Sequence, residues 1–375
     1  MAWPTCSGDR LLMNPLRILY ANASLDEGEP ERYTHNLMQA MRAQGHHVEA
    51  LCQPKAPLKQ RLEQDGFHVH PLHMGSGWGV LRTVLPLKRL LLSQHFDVVH
   101  TQTHHDSLSV GLAARLARHP LIVRTQHFGQ SDSAFTDRWL AHGVIALSHF
   151  VKKSRVQKGV TASRIEVVYP AVDTPSLNTT SLRQRLGVAD EATMVGSMVA
   201  AGKEKGALEL IQALAPLMRE SPQLHLVIAN NTDSDDTLVS FAEQLDVHKQ
   251  VHRLAPTESI VSFMGELDVF ALAAPTEASA IVFAKAAAQV AVVAAQVGSI
   301  PEMIEVGKSG MLVPVHDIVA LRKALQRLVQ DPALRQSMAA AGYDYIVGSG
   351  RFTQATQQQL TESHYRQWLS QYKLL

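Results

Sequence analysis

Short apolar runs rich in β-branched residues alternate along this chain with segments of helical periodicity. After the first run, for example, Tyr33, Leu37, Ala40 and Met41 recur at helical spacing, and Gly45 follows as a stop signal. Such alternation is typical of parallel sheets with helices on both faces, so the sequence predicts the α/β class with doubly wound sheets. The runs predicted as strands are residues 17–21, 48–52, 97–100, 121–125, 144–147, 165–169, 194–199, 224–229, 268–272, 290–294 and 311–313.

One proline-containing segment interrupts this pattern near the middle of the chain. Residues 169–175 read YPAVDTP and have no helical period, which is typical of a linker. The 375 residues suffice for two domains of roughly 150 residues each. We predict a flexible leader at 1–15, an N-terminal domain at 16–170 and a C-terminal domain at 171–351. A helix at 352–375 is expected to pack back on the first domain, and the ligand is expected in the cleft between the domains.

The composition excludes several classes of function. Lys and Arg number 35 against 34 for Asp and Glu, so the chain lacks the cationic excess of a nucleic-acid-binding protein. The two cysteines are too few for a disulfide scaffold or a Cys-rich zinc site, and no helical H-x-x-x-H with an acidic third ligand occurs. We therefore predict no metal site. No apolar run reaches 18 residues and the first residues do not form a signal peptide, so a cytoplasmic location is expected.

Two turns that follow predicted strands carry groups suited to anions. Gly28 lies in the turn before the first helix, where free helix N–H groups favour an anion or a sugar. Lys203 and Lys205 lie in the turn AAGKEKG after the strand at 194–199, and could hold a diphosphate. An ordinary βα turn and solvated lysines are the alternative readings of these two segments.

The most informative stretch is residues 268–302. It combines a strand, the loop APTE ending at Glu277, an Ala-rich helix, a second strand and the loop GSIPE. A carboxylate such as Glu277 can accept hydrogen bonds from sugar hydroxyls, while the helix N–H groups face phosphate oxygens. Capping of the helix by Glu277 is the alternative.

Taken in order, the motifs of this chain resemble those of the family-4 (group 1) retaining glycosyltransferases of the GT-B fold, over roughly residues 16–370. The matching segments are GEPERY at 28–33, GHHV at 45–48, DVVHT at 97–101, VRTQH at 123–127, EVVYPAVD at 166–173, KG at 205–206, APTE at 274–277 and GSIPE at 298–302.

The resemblance implies two facing Rossmann-like domains with an interdomain cleft. It implies transfer of a sugar from a nucleotide-sugar donor to a glycan or lipid-linked acceptor, with retention of configuration and without a metal or other cofactor. Synthesis of cell-envelope polysaccharide or lipopolysaccharide is the expected setting. A peripheral contact with the inner membrane face is left open, because residues 81–92 mix apolar side chains with Arg82, Lys88 and Arg89.

The resemblance also assigns roles to individual residues. Lys205 would pair with the diphosphate, and Glu277 would accept hydrogen bonds from the donor sugar. The backbone N–H groups of Ala280 and Ile281 would meet phosphate oxygens. His127, at the end of a strand, would contact the donor sugar near the reacting bond.

Three departures from the family pattern affect the donor site. Lys285 replaces the second glutamate of the E-x7-E motif, which in the family binds the ribose hydroxyls. Val199 and Ala200 stand where an arginine usually precedes the KG pair, and Glu29 replaces a loop glycine, where its charge would repel a diphosphate.

Two hypotheses follow from these departures. In the first, the enzyme is active with an altered donor site, Lys203 replacing the arginine and Lys285 contacting a phosphate. In the second, the chain is a catalytically impaired homologue that acts as a binding or partner subunit. His104 and His105, after a strand of the first domain, are candidates for acceptor contact or members of a plain surface loop.

Overall fold

A computed structural model describes residues 14–74, 78–118, 120–127, 133–172, 182–198, 205–229, 237–254, 260–274 and 280–374, with no side-chain description at 78–79, 81–82, 205 and 260–262. The predicted leader up to residue 13 and residues 173–175 of the predicted linker lie outside these ranges. Asn14 and Pro15 are exposed, and the core begins at Leu16, which is 4% exposed.

The chain forms two parallel sheets, so the predicted α/β class with doubly wound sheets is confirmed. The first has seven strands in the order β3-β2-β1-β4-β5-β6-β7. Its strands are β1 Arg17–Asn22, β2 His47–Cys52, β3 His68–Pro71, β4 Val98–Thr101, β5 Leu121–Gln126, β6 Gly143–Ala146 and β7 Ile165–Val167. The second has six strands in the order β10-β9-β8-β11-β12-β13. Its strands are β8 Thr193–Met198, β9 Leu224–Ala229, β10 Val251–Arg253, β11 Val269–Leu272, β12 Ala291–Ala295 and β13 Met311–Val313.

Helices cover both faces of each sheet, because the central strands are apolar on both sides. Ile18 and Leu19, neighbours in β1 that point to opposite faces, are both 0% exposed. The helices are α1 Glu29–Ala43, α2 Pro57–Gln64, α3 Trp78–Gln94, α4 His104–Ala117, α5 His149–Gln157, α6 Leu182–Leu186, α7 Lys205–Glu220, α8 Thr237–Gln244, α9 Ile260–Gly265, α10 Ala280–Ala287, α11 Ile318–Gln330, α12 Pro332–Tyr343 and α13 Gln354–Gln371. None of the described helices is long and apolar enough to cross a bilayer.

Two edge strands are missing from the sequence prediction. β3 reads HVHP and β10 reads VHR, and both lie at an edge of their sheet. An edge strand is partly exposed, so it tolerates polar residues and lacks the apolar run by which the central strands are recognised.

The final helix α13 packs on the first sheet. Tyr365, Trp368 and Leu369 are 0% exposed and belong to the same apolar cluster as β1 and α1. The approach is so close that a Cβ on Gly143, the first residue of β6, would lie 2.4 Å from the Trp368 ring. A glycine is therefore required there, and the chain returns to its first half after completing the second sheet.

A second connection between the two halves lies at the start of α5. Glu302, in the turn Ile300–Met303 of the second half, accepts hydrogen bonds from the backbone N–H groups of His149 (2.8 Å) and Phe150 (2.7 Å). It also accepts one from the hydroxyl of Tyr169, at 2.7 Å. A carboxylate at a helix N-terminus satisfies donors that have no partner within the helix. We call this arrangement of Glu302 with His149, Phe150 and Tyr169 the capping contact.

Candidate functional site

A cavity of about 290 Å³ lies between the two sheets and is lined by residues of both halves. The lining residues are Glu29, Pro30, Arg32, Tyr33, Asn36, His127, Leu147, Pro170, Ala171, Ala280, Ile281, Val282, Lys285 and Gln357. It lies beside the C-terminal ends of strands and the N-terminal ends of helices, which is where open α/β sheets bind ligands.

One ion pair joins the two halves across this cavity. The Nζ of Lys285, on α10, lies 3.1 Å from Oε1 and 3.3 Å from Oε2 of Glu29, on α1. The Lys285 side chain is 2% exposed, whereas that of Glu29 is 32% exposed. We call this pair the cleft contact. Two residues that the sequence marks as separate departures from the family pattern are thus in direct contact.

Two helix N-termini meet at the cavity. Helix α1 begins at Glu29 and α10 begins at Ala280, and the first residues of both line the cavity. The first N–H groups of a helix lack intrahelical acceptors and carry a partial positive charge. Arg32 adds a further cation that is exposed at the lining. With Glu29 and Lys285 neutralising each other, the cavity favours an anionic ligand.

His127 lines the cavity directly after strand β5 and is 6% exposed. Burial, with a smaller contribution from Arg124, lowers the pKa of His127 to about 3, so the imidazole is neutral at physiological pH. Its Nε2 lies 3.1 Å from the amide oxygen of Gln102. With the Gln102 amide in this orientation, Nε2 donates to the amide oxygen and Nδ1 remains an acceptor. The edge of the ring packs against Tyr33, with centroids 5.2 Å apart.

A buried hydrogen-bond network links the first sheet to α13. The two ring nitrogens of His100 contact the hydroxyls of Tyr365 and Thr125, the latter at 2.7 Å. The Tyr365 hydroxyl also lies 3.1 Å from that of Tyr20. Burial lowers the pKa of His100 to about 3, so this network holds a neutral histidine. The network ties α13 to strands β1, β4 and β5, and Gln357 of the same helix lines the cavity.

Five of the residues singled out in the sequence line the cavity together: Glu29, His127, Ala280, Ile281 and Lys285. Gly28 lies just beside it as the N-cap of α1, with an extended backbone (φ −155°) that any residue can adopt. Its proximity to the cavity therefore does not depend on being glycine.

The predicted donor-site residues Glu277 and Lys203 lie outside the described residues, as do Val199 and Ala200, which stand where the family has an arginine. The backbone of Lys205 begins α7, but its side chain is not described. A Cβ on the next residue, Gly206, would lie 2.9 Å from backbone atoms of Ala273 and Ala274. The start of α7 therefore packs against Ala273 and Ala274, which follow strand β11.

His104 and His105 do not lie in a surface loop, so that alternative is wrong. They are the first residues of α4, where Thr103 and Asp106 form a reciprocal capping box. The sequence THHD has the spacing of a capping box, a signal for this helix start that the sequence prediction did not use. His104 is half-buried and His105 is exposed, and neither is among the described residues that line the cavity.

Sequence reasoning missed four polar lining residues: Arg32, Tyr33, Asn36 and Gln357. The first three share one end of α1, so helical spacing from Gly28 could have placed them on the ligand side. Gln357 lies on α13, and no local signal connects it to a site formed more than 70 residues earlier in the chain.

The expectation of no metal site stays a prediction. Among the described residues, one group could ligate an ion: Glu49, His68 and His70, whose ligating atoms lie within 4.8 Å of one another. They belong to β2 and the edge strand β3, and none of them lines the interdomain cavity.

Comparison with known families assigns both halves of the chain. Residues 30–175 match Glycosyltransferase Family 4, and residues 178–345 match Glycosyl transferases group 1. D-inositol 3-phosphate glycosyltransferase of Corynebacterium urealyticum is 25% identical over 365 residues, covering 84% of this chain and 85% of that protein. A GDP-mannose-dependent alpha-(1-6)-phosphatidylinositol monomannoside mannosyltransferase of Mycolicibacterium smegmatis is 32% identical over 171 residues, covering 43% of this chain and 44% of that protein.

Solved structures share the whole fold. A glycosyltransferase from Rickettsia africae superposes with a TM-score of 0.84 at 17% identity, covering 95% of this chain and 99% of the other. Anabaena HepE, solved with UDP-glucose, superposes with a TM-score of 0.78 at 22% identity, covering 94% of this chain and 100% of the other. The expected arrangement of two Rossmann-like domains, the GT-B fold, is confirmed.

Proposed function

Because this chain belongs to the group 1 glycosyltransferases of family 4, we propose that it transfers a sugar from a nucleoside-diphosphate sugar to a hydroxyl of a glycan or lipid-linked acceptor. One observation carries the donor assignment. The interdomain cavity joins the N-termini of α1 and α10 with the exposed cation Arg32, while Lys285 neutralises Glu29, which makes an environment suited to a diphosphate.

In the proposed reaction, the bond between the anomeric carbon and the diphosphate oxygen breaks, and the diphosphate leaves with the electron pair. The acceptor oxygen forms the new bond to the same carbon, and its proton passes to the departing phosphate. Positive charge at the leaving group stabilises the transition state, because negative charge develops there. The two helix N-termini and the nearby cations supply this positive charge. We further propose that the configuration at the anomeric carbon is retained.

The neutral imidazole of His127 fits contact with a sugar. Its Nδ1 can accept a hydrogen bond from a hydroxyl without adding a charge that would compete for the diphosphate. We place Lys205 at the diphosphate and Glu277 at the donor sugar, as the resemblance implies. Gly206, the neighbour of Lys205 in the chain, packs against Ala273 and Ala274.

A lipid-linked acceptor, in cytoplasmic synthesis of envelope glycans, is supported by the surface of α3. Leu85 and Leu92 are 61% and 47% exposed, and Arg89 on the same helix is exposed as well. Apolar side chains beside a cation suit the interface of an anionic membrane.

The experiment is an assay of nucleoside-diphosphate release from UDP-glucose, UDP-galactose, GDP-mannose and ADP-glucose, with and without glycan or lipid acceptors. We expect acceptor-dependent release from one donor, with an unchanged anomeric configuration in the product by NMR. Glu277→Ala should reduce turnover at least about 100-fold, as expected for loss of a group that binds the reacting sugar. Lys308→Ala, at a side chain 67% exposed outside the cavity, is the control.

Release from none of the donors would contradict the proposal. Binding of a nucleotide without any turnover would instead favour the impaired homologue that serves as a binding or partner subunit.

A further inference from the structure

The cleft contact gives the cavity an unusual distribution of charge. Lys285 sits on a helix whose residues are all buried, and its ammonium group approaches both oxygens of Glu29 almost equally, at 3.1 and 3.3 Å. Burying an ammonium group is costly unless an opposite charge and hydrogen bonds compensate it. Glu29 supplies both from the other domain.

Glu29 retains the capacity to bind a ligand. A carboxylate offers about four acceptor positions, and one ammonium group occupies only part of them. Its side chain is 32% exposed, and Glu29 is the one carboxylate among the described residues that line the cavity. The remaining polar lining side chains are cationic or neutral. Among these residues, Glu29 is therefore the ionised acceptor that is available to the hydroxyl groups of a ligand.

We propose that Glu29 is the carboxylate that accepts hydrogen bonds from a vicinal diol of the donor, and that Lys285 is the positioning residue that fixes it. The inference rests on the proposed function, since it concerns the same cavity. The acceptor for hydroxyls has moved from position 285 of the second domain to position 29 of the first. The two departures from the family pattern are thus one compensated exchange rather than two independent losses.

The exchange has a consequence for domain closure. A carboxylate on α10 would bind its ligand whatever the position of the first domain. Glu29 can meet the same ligand only when α1 lies against α10, so hydroxyl recognition and closure of the cleft are coupled. The diol belongs either to the nucleotide ribose or to the transferred sugar, and both present the same chemistry to a carboxylate.

The experiment is calorimetric titration of the full chain with UDP, GDP and ADP, followed by the 2′-deoxy and 3′-deoxy forms of whichever binds. We expect the deoxy forms to bind about 10-fold more weakly or worse, as for a lost hydrogen bond to a charged group. Glu29→Gln and Lys285→Met should each remove most of this discrimination. The exchange Glu29→Lys with Lys285→Glu should restore part of it. Glu27→Gln, at an exposed residue of the same turn, is the matched control.

The titration of the nucleotide sugar against the free nucleotide separates the two sources of the diol. If ribose is not discriminated but Glu29→Gln abolishes the extra affinity of the nucleotide sugar, the hydroxyls belong to the sugar and the proposal holds. If neither preference changes in Glu29→Gln while the thermal midpoint falls, the pair is only a structural tether and the proposal is overturned. Absence of binding by all three nucleotides would overturn the proposed function, and this inference with it.

Discussion

Two of the contacts that join the domains differ in their chemistry. In the capping contact, Glu302 accepts from two backbone N–H groups that the start of α5 holds in place, and from one tyrosine hydroxyl. In the cleft contact, a buried lysine meets a half-exposed glutamate, and both partners are side chains. The first contact depends on backbone geometry that no substitution within α5 readily removes. The second depends on two residue identities.

Because of this difference, one contact is suited to hold the domains together and the other is suited to bind a ligand. Ser148 reinforces the capping contact, because its hydroxyl lies 2.6 Å from that of Ser299 and also accepts from the N–H of Val151. The polar groups named in that region are hydrogen-bonded to other groups of the same chain, so the region is suited to hold the domains together. The cleft contact lines a cavity and keeps a partly exposed carboxylate, so it is suited to respond to a ligand.

Reversing the charge of Lys285 should produce the largest effect. Lys285→Glu places a second carboxylate against Glu29 in a nearly solvent-free position, and breaking a buried pair costs about 3 kcal/mol of unfolding free energy. Chemical denaturation measures this loss. The double variant Glu29→Lys with Lys285→Glu should recover most of it. Equal stability of Lys285→Glu and the wild type would show that the cleft contact contributes nothing.

Removing the capping carboxylate should have a smaller effect on stability. Glu302→Ala leaves the N–H groups of His149 and Phe150 and the Tyr169 hydroxyl without their acceptor, at a cost of about 2 kcal/mol. Glu305→Ala, three residues further at an exposed side chain, is the control for loss of a carboxylate. Denaturation curves that coincide for Glu302→Ala and Glu305→Ala would refute the role of the cap.

The unfolding free energy should also fall in acid because of His127, which lines the cavity. Its pKa in the folded protein, about 3, lies below the ordinary value of 6.5, so the unfolded chain binds the proton first. The stability it contributes is present above pH 6.5 and is lost as the pH falls toward 3, by about 1.4 kcal/mol per pH unit. His127→Gln should reduce the slope of the unfolding free energy against pH, between about pH 3 and 6.5, by that amount. An unchanged slope would mean that His127 is already protonated in the fold.

The smallest effect is expected from Tyr169→Phe. It removes the one side-chain donor of the capping contact and leaves both backbone donors, at a cost of about 1 kcal/mol. Nucleotide affinity, measured by calorimetry, should not change. A large loss of affinity would show that the two contacts are not separable.

The fold was predictable because each central strand can be recognised from its own residues. Strands such as β1 and β11 are apolar on both faces, so a few consecutive residues suffice to predict a strand there. The edge strands β3 and β10 were not predictable, because partial exposure permits the histidines they carry. The start of α4, by contrast, was predictable, because Thr103 and Asp106 have the spacing of a capping box.

The site was predictable only in part. Local motifs place His127, Ala280 and Ile281 at strand and helix ends, and the structure brings them to one cavity. The pairing of Lys285 with Glu29 joins positions 256 residues apart, and Glu302 reaches a helix 152 residues earlier. Such partners follow from the packing of two domains, which no single segment encodes.

The most direct test of the account is whether nucleotide binding requires the interdomain cavity. Ile281 lines that cavity on α10, so Ile281→Trp should fill it, whereas Val319→Trp, at an exposed position of α11, should not. Calorimetric titration with UDP, GDP and ADP should show one nucleotide binding to the wild type and to Val319→Trp, and at least about 100-fold weaker binding to a folded Ile281→Trp. Equal affinity of all three proteins for that nucleotide would place the donor elsewhere and contradict the account.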